Sequence, residues 1–197
     1  MIFAFDTETY YDIEYSLNRM GTEEYIRDPR FKLHCWALAH KTESGEIKKV
    51  WRRGDELPRY ARFLSEHTLI AHHAQFDGLI LSHHFGIKPK FWIDTYSMAK
   101  GIYPREVHSL AALAKKFRLA EKTVPYNLFR GVPELTDEIM KLVGEGCAHD
   151  AALALAIFEQ MRSEFPREEY PVIDQTIRMF TEPVLKLWND TRHVVGK

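Results

Sequence analysis

The sequence predicts an α/β protein with one mixed sheet: a three-stranded antiparallel meander, two further parallel strands, and helices flanking the sheet. Two observations lead to this prediction. The N-terminal third carries short apolar runs separated by polar or glycine-containing turns, which is typical of a strand meander. Beyond it, helical patterns alternate with short apolar runs, as expected where helices connect parallel strands.

The elements follow from this pattern in chain order. In the meander we expect strands at 2–9, 32–40 and 47–53, with a long loop or short helix over 11–29. In the alternating part we expect helices at 57–67 and 75–85 and strands at 68–72 and 91–94.

The C-terminal part is predicted to be helical because apolar residues recur at three- and four-residue spacing. The predicted helices span 109–117, 136–143, 147–165 and 167–187. The run Gly144-Glu145-Gly146 predicts a break between two of them, since glycine at a helix end readily takes the left-handed conformation. We expect one domain over 1–165, with 166–197 as a helical extension that packs on it or leads out of it.

Composition limits the class of protein. With 197 residues, 45% of them hydrophobic, the chain can bury a sizeable core. Its two cysteines, Cys35 and Cys147, are too few for a disulfide framework and are expected to be buried thiols. We expect no membrane association and a cytoplasmic location, because the sequence has neither a membrane-spanning apolar stretch nor a secretory signal. The net charge of -1 argues against a protein that coats duplex nucleic acid, but not against an enzyme that grips one strand end.

Two carboxylates stand close together in the first predicted strand. Asp6 and Glu8 are two residues apart, so their side chains share one face of the strand. Neighbouring carboxylates in apolar surroundings repel each other and lose hydration, which a divalent cation can offset. The pair therefore indicates metal ligands. The alternative is a strand that runs out to the surface, where Asp6 would cap a turn and Glu8 would be solvated.

Two further acids lie in informative places. Asp77 follows a predicted strand and falls in the first turn of a helix, so its carboxylate can project towards the sheet. Asp150 lies within an otherwise apolar helix, where a buried acid needs a partner. The alternatives are a first-turn acid favoured by the helix dipole for Asp77 and a salt bridge for Asp150.

These residues resemble the motifs of the DEDD superfamily of 3′-5′ exonucleases, which have a ribonuclease H-like fold. The first motif matches Asp6-Thr7-Glu8, the second Asp77 after a His-x-x-Phe approach, and the third Asp150. The chain most resembles the proofreading exonuclease domain of bacteriophage family A DNA polymerases. There the segment 176–185 resembles the passage into the polymerase.

The resemblance implies an enzyme that hydrolyses phosphodiester bonds at the 3′ end of single-stranded or frayed DNA and releases nucleoside 5′-monophosphates. RNA would be a further substrate and a DNA polymerase a partner, with proofreading as the role. A phage-encoded protein would act in the host-cell cytoplasm. The alternative is a catalytically weakened or inactive nucleic-acid-binding or scaffold domain.

The resemblance also implies two Mg²⁺ or Mn²⁺ ions and a two-metal mechanism. Asp6 would contact both ions, Glu8 and Asp150 would complete the site on the nucleophile side, and Asp77 would hold the second ion through water. The terminal nucleotide would meet Thr7, Thr9, His73 and Phe76.

One departure from the family pattern lies beside the last acid. Members usually carry Tyr four residues before it or His five residues before it, to orient or deprotonate the attacking water. Here those positions are Gly146 and Glu145. Glu145 is the candidate replacement, and a solvated acid is its alternative role. We expect impaired rather than abolished hydrolysis, and a higher rate for Gly146→Tyr.

Overall fold

The computed structural model describes residues 1–183. Its strands are β1 (Ile2–Thr9), β2 (Leu33–Lys41), β3 (Ile47–Arg53), β4 (Thr68–Ala71) and β5 (Phe91–Asp94). Its α-helices are α1 (Thr22–Arg27), α2 (Ala61–Ser65), α3 (Ala74–Phe85), α4 (Thr95–Ile102), α5 (Leu110–Lys116), α6 (Tyr126–Phe129), α7 (Asp137–Met161) and α8 (Tyr170–Thr181), with 3₁₀ turns at Gly54–Tyr60 and Arg167–Glu169.

The five strands form one mixed sheet in the order β3-β2-β1-β4-β5. β2 pairs antiparallel with both β1 and β3, whereas β4 runs parallel to β1 and β5 parallel to β4. The predicted antiparallel meander and the two added parallel strands are therefore confirmed. β4 pairs with β1 only along Ile2 to Ala4, so the second half of β1 extends beyond the carboxyl end of its parallel neighbour.

Helix α7 runs without interruption through the glycines where the sequence predicted a break, so that prediction is wrong. The glycines serve close packing instead. A Cβ at Gly144 would overlap the indole of Trp51 on β3, and a Cβ at Gly146 would lie 3.0 Å from Val124 Cα. Because both neighbours press against the helix, glycine is needed for contact between elements rather than for a turn.

Other helices also differ from the prediction, among them the short α6, which was not predicted. The helix expected at 57–67 is a 3₁₀ turn followed by the short α2, since Pro58 lies inside it and has no N–H to donate. α4 was not predicted, although Asp94 caps its start by accepting hydrogen bonds from the N–H groups of Tyr96 and Ser97. α8 ends at Thr181, and the rest of the predicted helix 167–187 falls mostly outside the described residues.

The helices flank the sheet and enclose the core. α7 packs along β1, β2 and β3, while α8 packs against α3 and β5. Through residue 183, the expected C-terminal extension therefore lies on the same body as the sheet. The predicted burial of Cys35 and Cys147 as free thiols is confirmed. No helix within residues 1–183 has the length and apolar character that crossing a membrane requires.

Candidate active site

Three of the four predicted acids meet at the C-terminal half of β1, which extends beyond β4. Asp6 and Glu8 project from the same face of the strand, and Asp150 reaches them from the middle of α7. One carboxylate oxygen from each residue lies within 4.8 Å of the other two. Since this part of β1 has passed the end of β4, the acids line the crevice at the carboxyl ends of the parallel strands, where ligands of open α/β sheets bind.

Asp77 lies beside this cluster. It stands in the first turn of α3, is buried, and accepts a hydrogen bond of 2.7 Å from the Thr7 hydroxyl. The turn is fixed by His73, whose backbone has φ of 76°, and by Asp94, which accepts hydrogen bonds from the N–H groups of His73 and Ala74. Asp94 therefore orients the helix that carries Asp77, a role that the sequence did not reveal.

Burial raises the pKa of each of the four carboxyl groups, and the charges of neighbouring acids add to the shift for Asp6 and Glu8. Burial first, and then the charges of Asp77 and Asp150, raise the pKa of Asp6 well above its usual value. Burial and the Asp6 charge raise the pKa of Glu8 in the same way. Burial raises the pKa of Asp77 to about 7, although the hydrogen bond from Thr7 opposes the shift. The site therefore disfavours its own negative charge unless a cation is present.

The chemistry of the donors fits a divalent cation. Asp6 Oδ2 and Asp150 Oδ1 are buried, and neither has a hydrogen-bond partner. A buried carboxylate oxygen that no N–H or O–H satisfies is unfavourable unless an ion completes it. The converging side chains offer only carboxylate oxygens, which are the ligands that Mg²⁺ and Mn²⁺ prefer.

A lysine on the loop before α6 faces the same acids. Lys122 Nζ lies 2.8 Å from Asp150 Oδ2, so the salt bridge considered for Asp150 is present in the structure. Burial alone would lower the pKa of Lys122, but Asp150 and the neighbouring carboxylates raise it overall. Lys122 thus neutralises part of the site's charge. Its contact with Asp150 could not be predicted from the sequence, because the 28-residue separation between the two carries no motif.

Tyr126 also reaches the acids and was not predicted. Its hydroxyl donates a long hydrogen bond of 3.5 Å to Glu8 Oε1. Burial and the charge of Glu8, followed by that of Asp150, raise the pKa of Tyr126 above its ordinary value, so the phenol keeps its proton.

A cavity of about 340 Å³ opens beside the acids. Of the predicted nucleotide-binding residues, Thr7, Thr9 and Phe76 line it, while His73 does not. Its other lining residues are Asp6, Glu8, Tyr11, Ser16, Leu17, Asn18, Tyr25, Lys122 and Tyr126.

The structure does not bring Glu145 into this cavity. Its side chain is 55% exposed, and its Oε1 lies 3.9 Å from Nζ of Lys141 on the same helix. Five residues along a helix of 3.6 residues per turn separate it from Asp150, which places the two side chains on different sides.

Comparison with known proteins places the chain among nucleases. A family model described as "3′-5′ exonuclease" matches residues 2–166. No curated protein matches the sequence.

Three solved structures resemble the fold. Trypanosoma brucei RNase D has a TM-score of 0.66 over 94% of this chain and 68% of that chain, at 14% identity. Brucella melitensis NrnC with bound Mg²⁺ has a TM-score of 0.58 over 92% of this chain and 83% of that chain, at 15% identity. Exonuclease X in complex with 5′ overhanging duplex DNA has a TM-score of 0.50 over 88% of this chain and 99% of that chain, at 18% identity. The sheet and its helices therefore form a ribonuclease H-like fold, as predicted.

Proposed function

This chain belongs to the 3′-5′ exonuclease family, an enzyme family that hydrolyses phosphodiester bonds, and we propose that it trims single-stranded or frayed DNA from the 3′ end. The products would be nucleoside 5′-monophosphates. The predicted enzyme class is confirmed by the family match, whereas the choice of DNA and the single-stranded end are the proposal.

The observation that carries the proposal is the meeting of acids from distant parts of the chain. Asp6 and Glu8 come from β1 and Asp150 from α7, yet their carboxylate oxygens lie within 4.8 Å of one another. Asp77, from α3, lies beside them and accepts a hydrogen bond from Thr7. Because carboxylates repel one another, a purely structural role does not explain why these acids lie together. Binding of divalent ions at a substrate phosphate does explain it.

The residues divide into two sets of ligands. We propose that Asp6, Glu8 and Asp150 hold one Mg²⁺ or Mn²⁺ ion and that Asp6 and Asp77 hold a second, the latter through water. When bound, the two ions supply Lewis acidity to the scissile phosphate and to the attacking water. Thr7 fixes the Asp77 carboxylate for this purpose through its hydroxyl, and Asp94 fixes the helix turn beneath it. The NrnC structure with bound Mg²⁺ supports this choice of metal.

The cavity suits one unpaired nucleotide. Thr7, Thr9 and Phe76 line it, and an aromatic ring such as that of Phe76 can stack on a base of any identity. We propose that the terminal nucleotide enters this cavity of about 340 Å³ unpaired.

RNA is the second substrate to consider, because NrnC has been solved bound to pGG and RNase D shares the fold. A polymerase partner and a proofreading role rest on the sequence resemblance alone. Both stay predictions.

The experiment compares the intact chain with Asp6→Ala on a 5′-labelled single-stranded DNA in the presence of Mg²⁺ or Mn²⁺. We expect a ladder that shortens from the 3′ end for the intact chain and no ladder for Asp6→Ala. Asp55→Asn, at an exposed acid of the 3₁₀ turn, serves as the matched control and should behave as the intact chain. The same assay on RNA of equal sequence tests the substrate preference. Equal products from the intact chain and Asp6→Ala would contradict the proposal.

A further inference from the structure

Helix α7 lacks a side chain at the position where the family carries its tyrosine, and the structure shows what fills that space. The segment 121–126 crosses α7 at Gly146. A Cβ at Gly146 would lie 3.0 Å from both Val124 Cα and Val124 Cγ2. Such distances are tighter than ordinary van der Waals contact, so any side chain at residue 146 would force Val124 to shift.

Two hydrogen bonds fasten the ends of the segment 121–126. The His149 ring lies 2.7 Å from the Glu121 carbonyl oxygen, and the Tyr11 hydroxyl donates a bond of 2.6 Å to the Tyr126 carbonyl oxygen. The first contact comes from α7, next to Asp150, and the second from the loop that follows β1, two residues beyond its end. The segment is therefore held on both sides of the acid cluster.

This placement directs the Tyr126 hydroxyl at the nucleophile side of the acid cluster. Tyr126 Oη is 3.5 Å from Glu8 Oε1, which is too long for a strong hydrogen bond and leaves the hydroxyl able to share a water molecule with that carboxylate. Tyr126 as a whole is 40% exposed and lines the same cavity as Glu8.

We propose that Tyr126 is a further catalytic residue of the exonuclease reaction and holds the attacking water beside Glu8. The inference rests on the proposed function. The Tyr126 hydroxyl donates to Glu8 and accepts a hydrogen bond from the water, which turns a lone pair of the water oxygen towards phosphorus. That oxygen forms the new P–O bond as the P–O3′ bond breaks. The water's proton passes to bulk solvent and the leaving 3′ oxygen takes one from it, while Tyr126 keeps its own proton throughout.

Gly146 has a defined part in this arrangement. A side chain there would displace Val124 and carry Tyr126 away from Glu8. The structure therefore reverses the expectation for Gly146→Tyr: instead of restoring a missing group, the added ring would push out the one that has taken its place.

The test is Tyr126→Phe, which removes the hydroxyl and keeps the ring. On single-stranded DNA we expect kcat to fall by about 10² with KM nearly unchanged, as loss of a group acting on the nucleophile does. The melting temperature and the calorimetric Kd for Mn²⁺ should stay at the values of the intact chain, because Tyr126 is not a metal ligand. Tyr103→Phe is the matched control, because the Tyr103 hydroxyl donates to Glu164 and to none of the four acids.

A second variant tests the role of the segment 121–126 without touching Tyr126. Gly146→Ala should lower kcat as well, whereas Gly101→Ala, in helix α4, should not. The double variant Tyr126→Phe with Gly146→Ala should lose little more than Tyr126→Phe alone, because both changes remove the same interaction.

The outcomes separate this inference from the proposed function. Wild-type kcat for Tyr126→Phe, with Asp6→Ala inactive, would overturn the role of Tyr126 alone. So would a rise in KM at constant kcat, which would indicate that the residue serves only in substrate binding. Equal behaviour of the intact chain and Asp6→Ala would overturn the exonuclease function and this inference together.

Discussion

At the scale of single residues, Asp77 is a buried acid, and its burial disfavours the charged form of the carboxyl group. Its pKa is raised to about 7 in the folded chain, above the value of 3.8 expected for an unfolded one. A carboxyl group with a raised pKa favours folding most at low pH. That contribution is lost as the pH rises from about 4 through about 7, since over this range the unfolded chain has released a proton that the folded chain still holds.

We therefore predict that Asp77→Asn stabilises the metal-free protein above pH 7, by on the order of 2 to 4 kcal/mol. The amide can still accept the hydrogen bond from Thr7. The gain should shrink as the pH falls towards about 4, where the native acid is neutral. Urea denaturation in EDTA at several pH values measures it, with Asp55→Asn as the control. A gain that did not depend on pH would contradict the explanation.

Lys122 is the counter-ion that the structure places on the acids. Its removal leaves Asp150 without its salt bridge, so we predict that Lys122→Met lowers the stability of the metal-free protein by about 1 to 3 kcal/mol. The same change should tighten Mn²⁺ binding by about tenfold, because the ion no longer competes with an ammonium group for Asp150.

Calorimetry of Mn²⁺ binding and thermal melts in EDTA check both effects of Lys122→Met. Lys116→Met is the matched control, since Lys116 pairs with Glu106 in another part of the chain. Weaker Mn²⁺ binding by Lys122→Met would show that the lysine supports the ion rather than competes with it.

At the scale of elements, the fit of α7 on the sheet depends on Gly144. Alanine is favoured over glycine in a helix by about 1 kcal/mol, but a Cβ at this position would overlap the Trp51 indole. We predict that Gly144→Ala destabilises the protein by about 1 to 3 kcal/mol net, because overpacking outweighs the gain in helix propensity. Chemical denaturation measures the change. Glu145→Ala, one residue on and exposed, is the control and should keep both stability and activity; a stabilising Gly144→Ala would contradict the packing argument.

The strands could be predicted from the sequence because alternation and turn residues are local signals, and all five were found. The continuity of α7 could not be predicted, because glycine occurs both at helix ends and at close contacts between elements. Only the position of Trp51 in the fold distinguishes the two cases. The four acids could be proposed from the sequence because they lie in recognisable motifs, and the structure brings three of them together. Lys122 and Tyr126 were missed because tertiary packing alone brings their loop to Glu8 and Asp150.

At the scale of the whole molecule, the fold assembles its acid site at the edge where the parallel strands end. β1 supplies two acids, and helices on either side of it supply the others. Burying acids at one end of the sheet costs folding free energy, which packing in the rest of the core must offset. Folding and metal binding should consequently be linked through the protons that these acids hold.

This linkage gives a prediction for metal removal. Because the pKa values of Asp6, Glu8 and Asp77 are raised, the metal-free protein should become less stable as the pH increases from about 5 to about 8. Mg²⁺ must displace the same protons, so the stabilisation it gives should grow over that range and reach about 2.7 kcal/mol at a concentration of about 100 times its Kd. Thermal melts with EDTA or Mg²⁺ at each pH measure both effects, and K⁺ at equal ionic strength separates specific binding from screening. An increase in stability on adding Mg²⁺ that is the same at both ends of the pH range would show that ion capture does not release protons from these acids.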